Sequence, residues 1–137
     1  MNRTSWIIAA PVALGLIAFG PAAVAHHSFA MFDQSQTTTF RGSIKDFQWS
    51  NPHVIVWVVS EAKSDPTPDV WTIELTSPGN LLRMGWTRHA LKAGDKVDVE
   101  ISPLRDGRHG GSLRKITLLD TGQVLTSSLI SPAKPAN

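Results

Sequence analysis

Six consecutive apolar residues, Val54-Ile55-Val56-Trp57-Val58-Val59, follow directly on the turn signal Asn51-Pro52-His53. Proline fixes its own φ and pushes the residue before it away from helix, so the dipeptide marks a change of direction. A run this short, rich in β-branched residues and opened by a turn, reads as a strand. Because its apolar residues do not alternate with polar ones, it is expected to be buried on both faces. Such a strand needs sheet partners on either side, and the flanking sequence supplies them.

Upstream, Thr38 to Trp49 alternates with a fault. Phe40, Gly42 and Ile44 share one face, whereas Phe47 and Trp49 fall on the other. A slip of one residue between Gly42 and Asp46 is the mark of a β-bulge, which small barrels use to bend a long strand. Downstream, Lys63 to Asp69 is a polar loop with two prolines. Val70 to Thr76 then alternates cleanly, with Trp71, Ile73 and Leu75 on one side. Ser77-Pro78 places an N-cap before a proline at the first helical position. The short helix they start has Leu81, Leu82 and Met84 as its apolar face and Gly85 as its end. Val97, Val99 and Ile101 alternate in a fourth strand, Lys96 to Ser102. Arg105 to Gly111, with Gly110-Gly111, reads as a hairpin tip before a fifth strand, Ser112 to Leu119. A short strand near Leu125 ends the pattern.

Three strands, a short helix and two strands is the element order of a five-stranded OB-like Greek-key barrel, with the helix between strands three and four. A bulged first strand suits it, because that strand serves both halves of the barrel. The fold class is therefore all-β. A β-sandwich wants about seven strands and no helix, and fits less well.

The first 25 residues stand apart from this fold. Arg3 gives a positive start, Trp6 to Phe19 is apolar or small, and Pro21 precedes Ala23-Val24-Ala25, an Ala-x-Ala cleavage site. These are the parts of a secretory signal peptide, and they predict a periplasmic or secreted protein. The apolar run falls short of the ~20 residues of a spanning helix, so no membrane span is expected after cleavage. The chain divides into a signal peptide (1–25), an N-terminal segment (26–37), the barrel (38–125) and a tail (126–137) expected to be disordered.

Of 13 basic and 11 acidic residues, cleavage removes only Arg3, leaving 12 against 11. A surface so nearly neutral offers no footprint for nucleic acid. Cysteine is absent, which excludes disulfides, thiolate metal sites and cysteine nucleophiles. No Ser-His-Asp order and no phosphate-cradling glycine loop is present.

The stretches His26-His27-Ser28-Phe29-Ala30-Met31-Phe32-Asp33, Gly42, Phe47-Gln48-Trp49-Ser50-Asn51-Pro52-His53, Trp71-Thr72-Ile73-Glu74, Leu82-Arg83-Met84-Gly85-Trp86 and Gly94-Asp95-Lys96-Val97 resemble a family of exported bacterial proteins known as domain of unknown function 6152. The resemblance implies export from a bacterial cytoplasm and a small β-rich domain. It carries no catalytic residues.

Two candidate sites follow. Cleavage after Ala25 makes His26 the first residue, whose α-amine and imidazole can chelate one metal ion with His27 in reach. His53 is a candidate third nitrogen donor and Met31 a candidate sulfur donor. Nitrogen-rich sites favour Cu(II) over Ni(II) and Zn(II), so copper is the expected cofactor of such a site. The simpler expectation for His53 is a turn cap bonded to a backbone carbonyl. The second candidate is a ligand groove around Trp49, Asn51, His53 and Trp86, used by a small enzyme or redox partner, since aromatics beside turns on an OB face stack ligands. Trp57 and Trp71 lie in apolar strand phases and are expected to fill the core. His89 is expected in a loop and His109 exposed on a glycine-rich tip. A non-catalytic binding or accessory protein, with a small ligand or protein as partner, is the leading function.

Overall fold

The computed structural model describes residues 29–61 and 69–127. Residues 1–28, 62–68 and 128–137 lie outside the described residues, and with them the expected signal peptide, His26, His27 and most of the expected tail. A 3-10 turn, Phe29–Met31, precedes β1 (Thr38–Gln48), β2 (Ile55–Ser60) and β3 (Val70–Glu74). Helix α1 (Pro78–Arg83) leads to β4 (Lys96–Pro103), β5 (Gly110–Leu118) and β6 (Val124–Thr126). The antiparallel order is β3-β2-β1-β4-β5-β6, and a parallel β3–β5 pairing closes five of these strands into an OB-like barrel. β6 lies against β5 as a short added strand.

β1 holds the two halves together. Its first half pairs with β4 (Thr38 to Ser43) and its second with β2 (Gly42 to Gln48). The register shifts between Ile44 and Asp46, which is the expected bulge, with Lys45 as the extra residue. The slip keeps Phe47 packed on the same core as Ile44. Gly42 belongs to both ladders, opposite Ser60 and Val97. A Cβ there would come within 2.7 Å of Val58 Cγ1, so glycine is what lets the three strands meet.

β2 is not buried on both faces. Val54, Val56 and Val58 have no exposure, while Ile55, Trp57 and Val59 are half-buried. A closed barrel has one interior, and the outer face of β2 is only partly covered. Trp57 accordingly lies outside the core cluster, and Trp71 is half-buried against its edge. The core itself runs from Val54, Val56 and Val58 through Ile73, Val97, Val99 and Ile101 to Leu113 and Ile116.

The helix starts as expected, with Ser77 Oγ accepting from the Asn80 N–H at 3.4 Å. Gly85, at φ 90°, takes the left-handed conformation that ends it. Leu81 is buried, but Leu82 is 59% exposed and faces solvent. Met84 is half-buried against the core, as expected, and Trp86 just beyond adds the larger contact. It is 1% exposed, and its Nε1 donates to Thr126 O at 2.8 Å, tying the helix exit to β6.

Gly110 and Gly111 do not form a hairpin tip. They open β5, opposite Thr72 and Ile73 of β3, at the seam of the barrel. At Gly111 a Cβ would sit 2.5 Å from Ser102 O and 2.8 Å from Ile101 Cδ1. β3, β5 and β4 crowd together here, and only a residue without a side chain fits.

Candidate functional site

The segment before β1 has no hydrophobic period, yet it is docked against the β4–β5 hairpin. Phe32 forms a bridge with Leu104 and is 5% exposed. The Asp33 N–H donates to Pro103 O at 2.8 Å, and the Arg105 N–H donates to Met31 O at 3.0 Å. Two arginines complete the hold. Arg105 Nε donates to Ala30 O at 3.0 Å. Arg114 Nη2 donates to Gln34 O at 2.5 Å and Gln36 O at 3.4 Å, while its Nε donates to Ser102 Oγ at 2.8 Å. A guanidinium suits this task because its fixed fork of donors can reach several carbonyls at once. Asp33 caps the following turn, accepting from Ser35 Oγ at 2.6 Å and the Ser35 N–H at 3.1 Å. The Ser35 hydroxyl bond, with the Ser35 N–H and then Arg105 contributing less, holds its carboxyl below the usual 3.8.

So fixed, the segment walls a groove of 640 Å³ over the outer faces of β2 and β3. Met31 and Phe32 form one side, Ile55, Val70, Thr72 and Glu74 the strand surface, and Leu104 with Gly107, Arg108 and His109 the hairpin side. Its lining is mostly apolar, with Thr72, Glu74, Arg108 and His109 as polar groups. Arg108 Nε pairs with Asp106 at 2.8 Å, and the Arg108 N–H followed by that guanidinium keeps the Asp106 carboxyl below 3.8. His109 stacks on Trp71 at 4.8 Å between ring centroids, and Trp71 stacks on Phe40 at 4.7 Å. Its Nδ1 is 3.7 Å from Asp69 Oδ1.

His53 stands beside this groove. Its Nδ1 is 3.2 Å from Leu75 O and 3.3 Å from Glu74 Oε1, and Glu74 is part of the groove lining. The expected turn cap through a backbone carbonyl is thus present. Both oxygens are acceptors, so the tautomer protonated on Nδ1 is the one that suits them.

The other anticipated residues separate. Met31, 38% exposed, is in the groove wall. Asn51 is exposed at the turn, where the Asn51–Pro52 bond is cis. Trp49 is half-buried, packed edge-on against Phe47 at 5.8 Å. Trp86 is in the interior, so the groove expected around Trp49, His53 and Trp86 does not form. A side chain 1% exposed has no surface to give a ligand. His89 is exposed, and lines a smaller pocket of 230 Å³ with Lys92, Asp95 and Lys96. His26 and His27 lie outside the described residues. Among the described residues no group of three or more His, Cys, Asp or Glu is placed to hold a metal ion.

Of the residues that line the observed groove, Met31 stands out in the sequence as a candidate donor and His109 as an exposed tip residue. Arg105 and Arg114, which hold the segment, leave no signal in the sequence, because their partners are carbonyls far away in sequence.

Among the described residues no helix is long and apolar enough to cross a membrane. No curated protein matches the chain. Its structure is similar to a mitochondrial single-stranded DNA binding protein from S. cerevisiae, Rim1, at 15% identity and a TM-score of 0.47. That similarity covers 61% of this chain and 93% of the yeast one. Across residues 13–114 the sequence matches one family, and the chain belongs to it: the family of unknown function DUF6152.

Proposed function

We propose that this protein is an exported, non-catalytic binding module of the bacterial periplasm, holding a copper ion at the N-terminus created by cleavage. The α-amine and ring of His26 supply the first two nitrogens, with His27 beside them. The observation that carries the reading is the docked segment from Ala30 to Gln36, held by Arg105 and Arg114 against the groove wall. It fixes where the arm begins. From Met31 back to His26 is five residues, a reach of roughly 17 Å. The span of β3 from Val70 to Glu74 that lines the groove is only about 13 Å long. The new terminus can therefore reach either end of the groove. The near-neutral processed chain, 12 basic against 11 acidic residues, gives no support for nucleic acid as the partner.

The groove supports a second reading, in which a small, largely apolar ligand lies across β2 and β3. A concave apolar surface with a few polar groups is the usual form of such a site, and this is the face that OB barrels use.

Titrating the processed chain, starting at His26, with Cu(II) and Cu(I) tests the first reading. A companion chain with one extra residue before His26 is titrated beside it. The processed chain is expected to bind one equivalent, and the extended chain to bind at least tenfold more weakly, because its amine is displaced. Equal binding by both, or none by either, removes the N-terminal chelate and leaves the groove reading.

A further inference from the structure

We infer that the groove takes a small apolar cation, an amine on a hydrocarbon body, and that Glu74 pairs with its charge. This rests on the reading in which an apolar ligand lies across β2 and β3, and it adds the sign of that ligand's charge. Glu74 is the one carboxylate among the described lining residues, and its side chain is 22% exposed. Its Oε1 faces His53 Nδ1 at 3.3 Å. Among the described residues no hydrogen bond reaches Oε2, and no lysine or arginine stands within ion-pairing distance of the carboxylate. Elsewhere the chain neutralises its acids more fully. Asp33, Glu61, Asp98, Glu100 and Asp106 are each bridged to a lysine or an arginine.

The other permanent charge in the lining is Arg108, and it is already engaged, with Nε donating to Asp106 Oδ2 at 2.8 Å. An anionic ligand would have to draw Arg108 away from Asp106 and would then meet Glu74. A cation meets an acceptor and displaces no ion pair. A primary ammonium suits Oε2 because it brings three donors and no acceptor. The hydrocarbon body has its own surface, with Ile55 and Val70 on the strands and Met31, Phe32 and Leu104 facing them across the groove. Beside such apolar neighbours the effective dielectric is lower than in bulk water, so the attraction between ammonium and carboxylate is stronger there. The strand from Val70 to Glu74, about 13 Å long, leaves room for a hydrocarbon chain whose amine ends at Glu74.

The test titrates octylammonium and octanoate, ions with chains of equal length and opposite charge, into the isotope-labelled whole chain at neutral pH. Amide shifts report both affinity and position. Octylammonium is expected to saturate, to shift Met31, Ile55, Val70 and Thr72, and to bind at least tenfold more tightly than octanoate. Glu74→Gln keeps the side chain's shape and an oxygen for His53. It is expected to weaken octylammonium at least tenfold without weakening octanoate. Octanoate bound in the groove as tightly as octylammonium, or full octylammonium affinity in Glu74→Gln, overturns the inference while the apolar-ligand reading stands. If neither ion binds, or the shifts centre away from the groove, that reading falls with it. Should Glu74→Gln not fold, the comparison of the two ions on the unsubstituted chain decides the sign of the charge.

Discussion

The barrel interior and the docked N-terminal segment are held by different physics. Inside, Val54, Val56, Val58, Ile73, Trp86 and Ile116 are sealed from water, and cohesion is apolar burial. The segment from Ala30 to Gln36 buries one large side chain, Phe32, and otherwise depends on hydrogen bonds from Arg105, Arg114 and backbone N–H groups. The first kind of cohesion is distributed over many contacts. The second depends on a few directional bonds, so it can be removed locally without opening the barrel. The groove lies along the boundary between the two, which lets a rigid sheet present one wall and a separable arm the other.

The largest expected effect lies on the interior side. Trp86→Ala should lower unfolding free energy by about 3–5 kcal/mol, the usual loss for a large buried aromatic, and also frees Thr126 O. Urea denaturation followed by circular dichroism measures it. A loss below 1 kcal/mol would mean that Trp86 is not part of the core and would erase the contrast.

Arg114→Met should act on the arm. Hydrogen bonds from a charged group contribute about 1.5–3 kcal/mol, and here most of that holds residues 34–36 rather than the barrel. Amide exchange at Asp33 and Arg105 is expected to accelerate, while amides of β2 and β4 keep their protection. If β2 and β4 lose protection equally, the segment is an integral layer of the fold.

The smallest effect is on acid sensitivity. The Asp33 carboxyl is held below 3.8 by Ser35, Asp98 by Arg41 and Asp106 by Arg108. A depressed carboxyl contributes its full stability above its unfolded value and loses it as pH falls through the folded one. The arm should therefore hold its protection down to about pH 4 and loosen below it, ahead of the barrel. Exchange or proteolysis at pH 5 and pH 3 follows this. In Ser35→Ala, the loosening should shift upward in pH. An unshifted profile would take Asp33 out of the account.

The interior was legible in the sequence to the extent that it obeys local periods. The bulge at Lys45 showed as a phase slip, the helix start as Ser77-Pro78, and β4 as strict alternation. Non-local geometry hid the rest. In an unbroken apolar run nothing says which residues of β2 face inward, so Trp57 read as core. Gly110-Gly111 carries the composition of a turn, and only the parallel contact with β3 reveals why glycine is needed there. Trp86 follows a helix end with no period to place it. The groove was illegible because its wall is made by long-range arginine-to-carbonyl bonds, which leave no pattern in sequence. Of the metal candidates, His53 and Met31 are placed beside and within that groove.

The proposed copper site at an N-terminus created by cleavage would lie near the groove wall that Met31 and Phe32 form. Adding substoichiometric Cu(II) to the isotope-labelled processed chain and recording paramagnetic broadening of amide signals tests it directly. Selective loss of signals from Met31, Phe32 and Ile55, with Trp86, Val97 and Leu125 unaffected, is the expected result. Broadening centred on His89, or spread evenly over the chain, would contradict it.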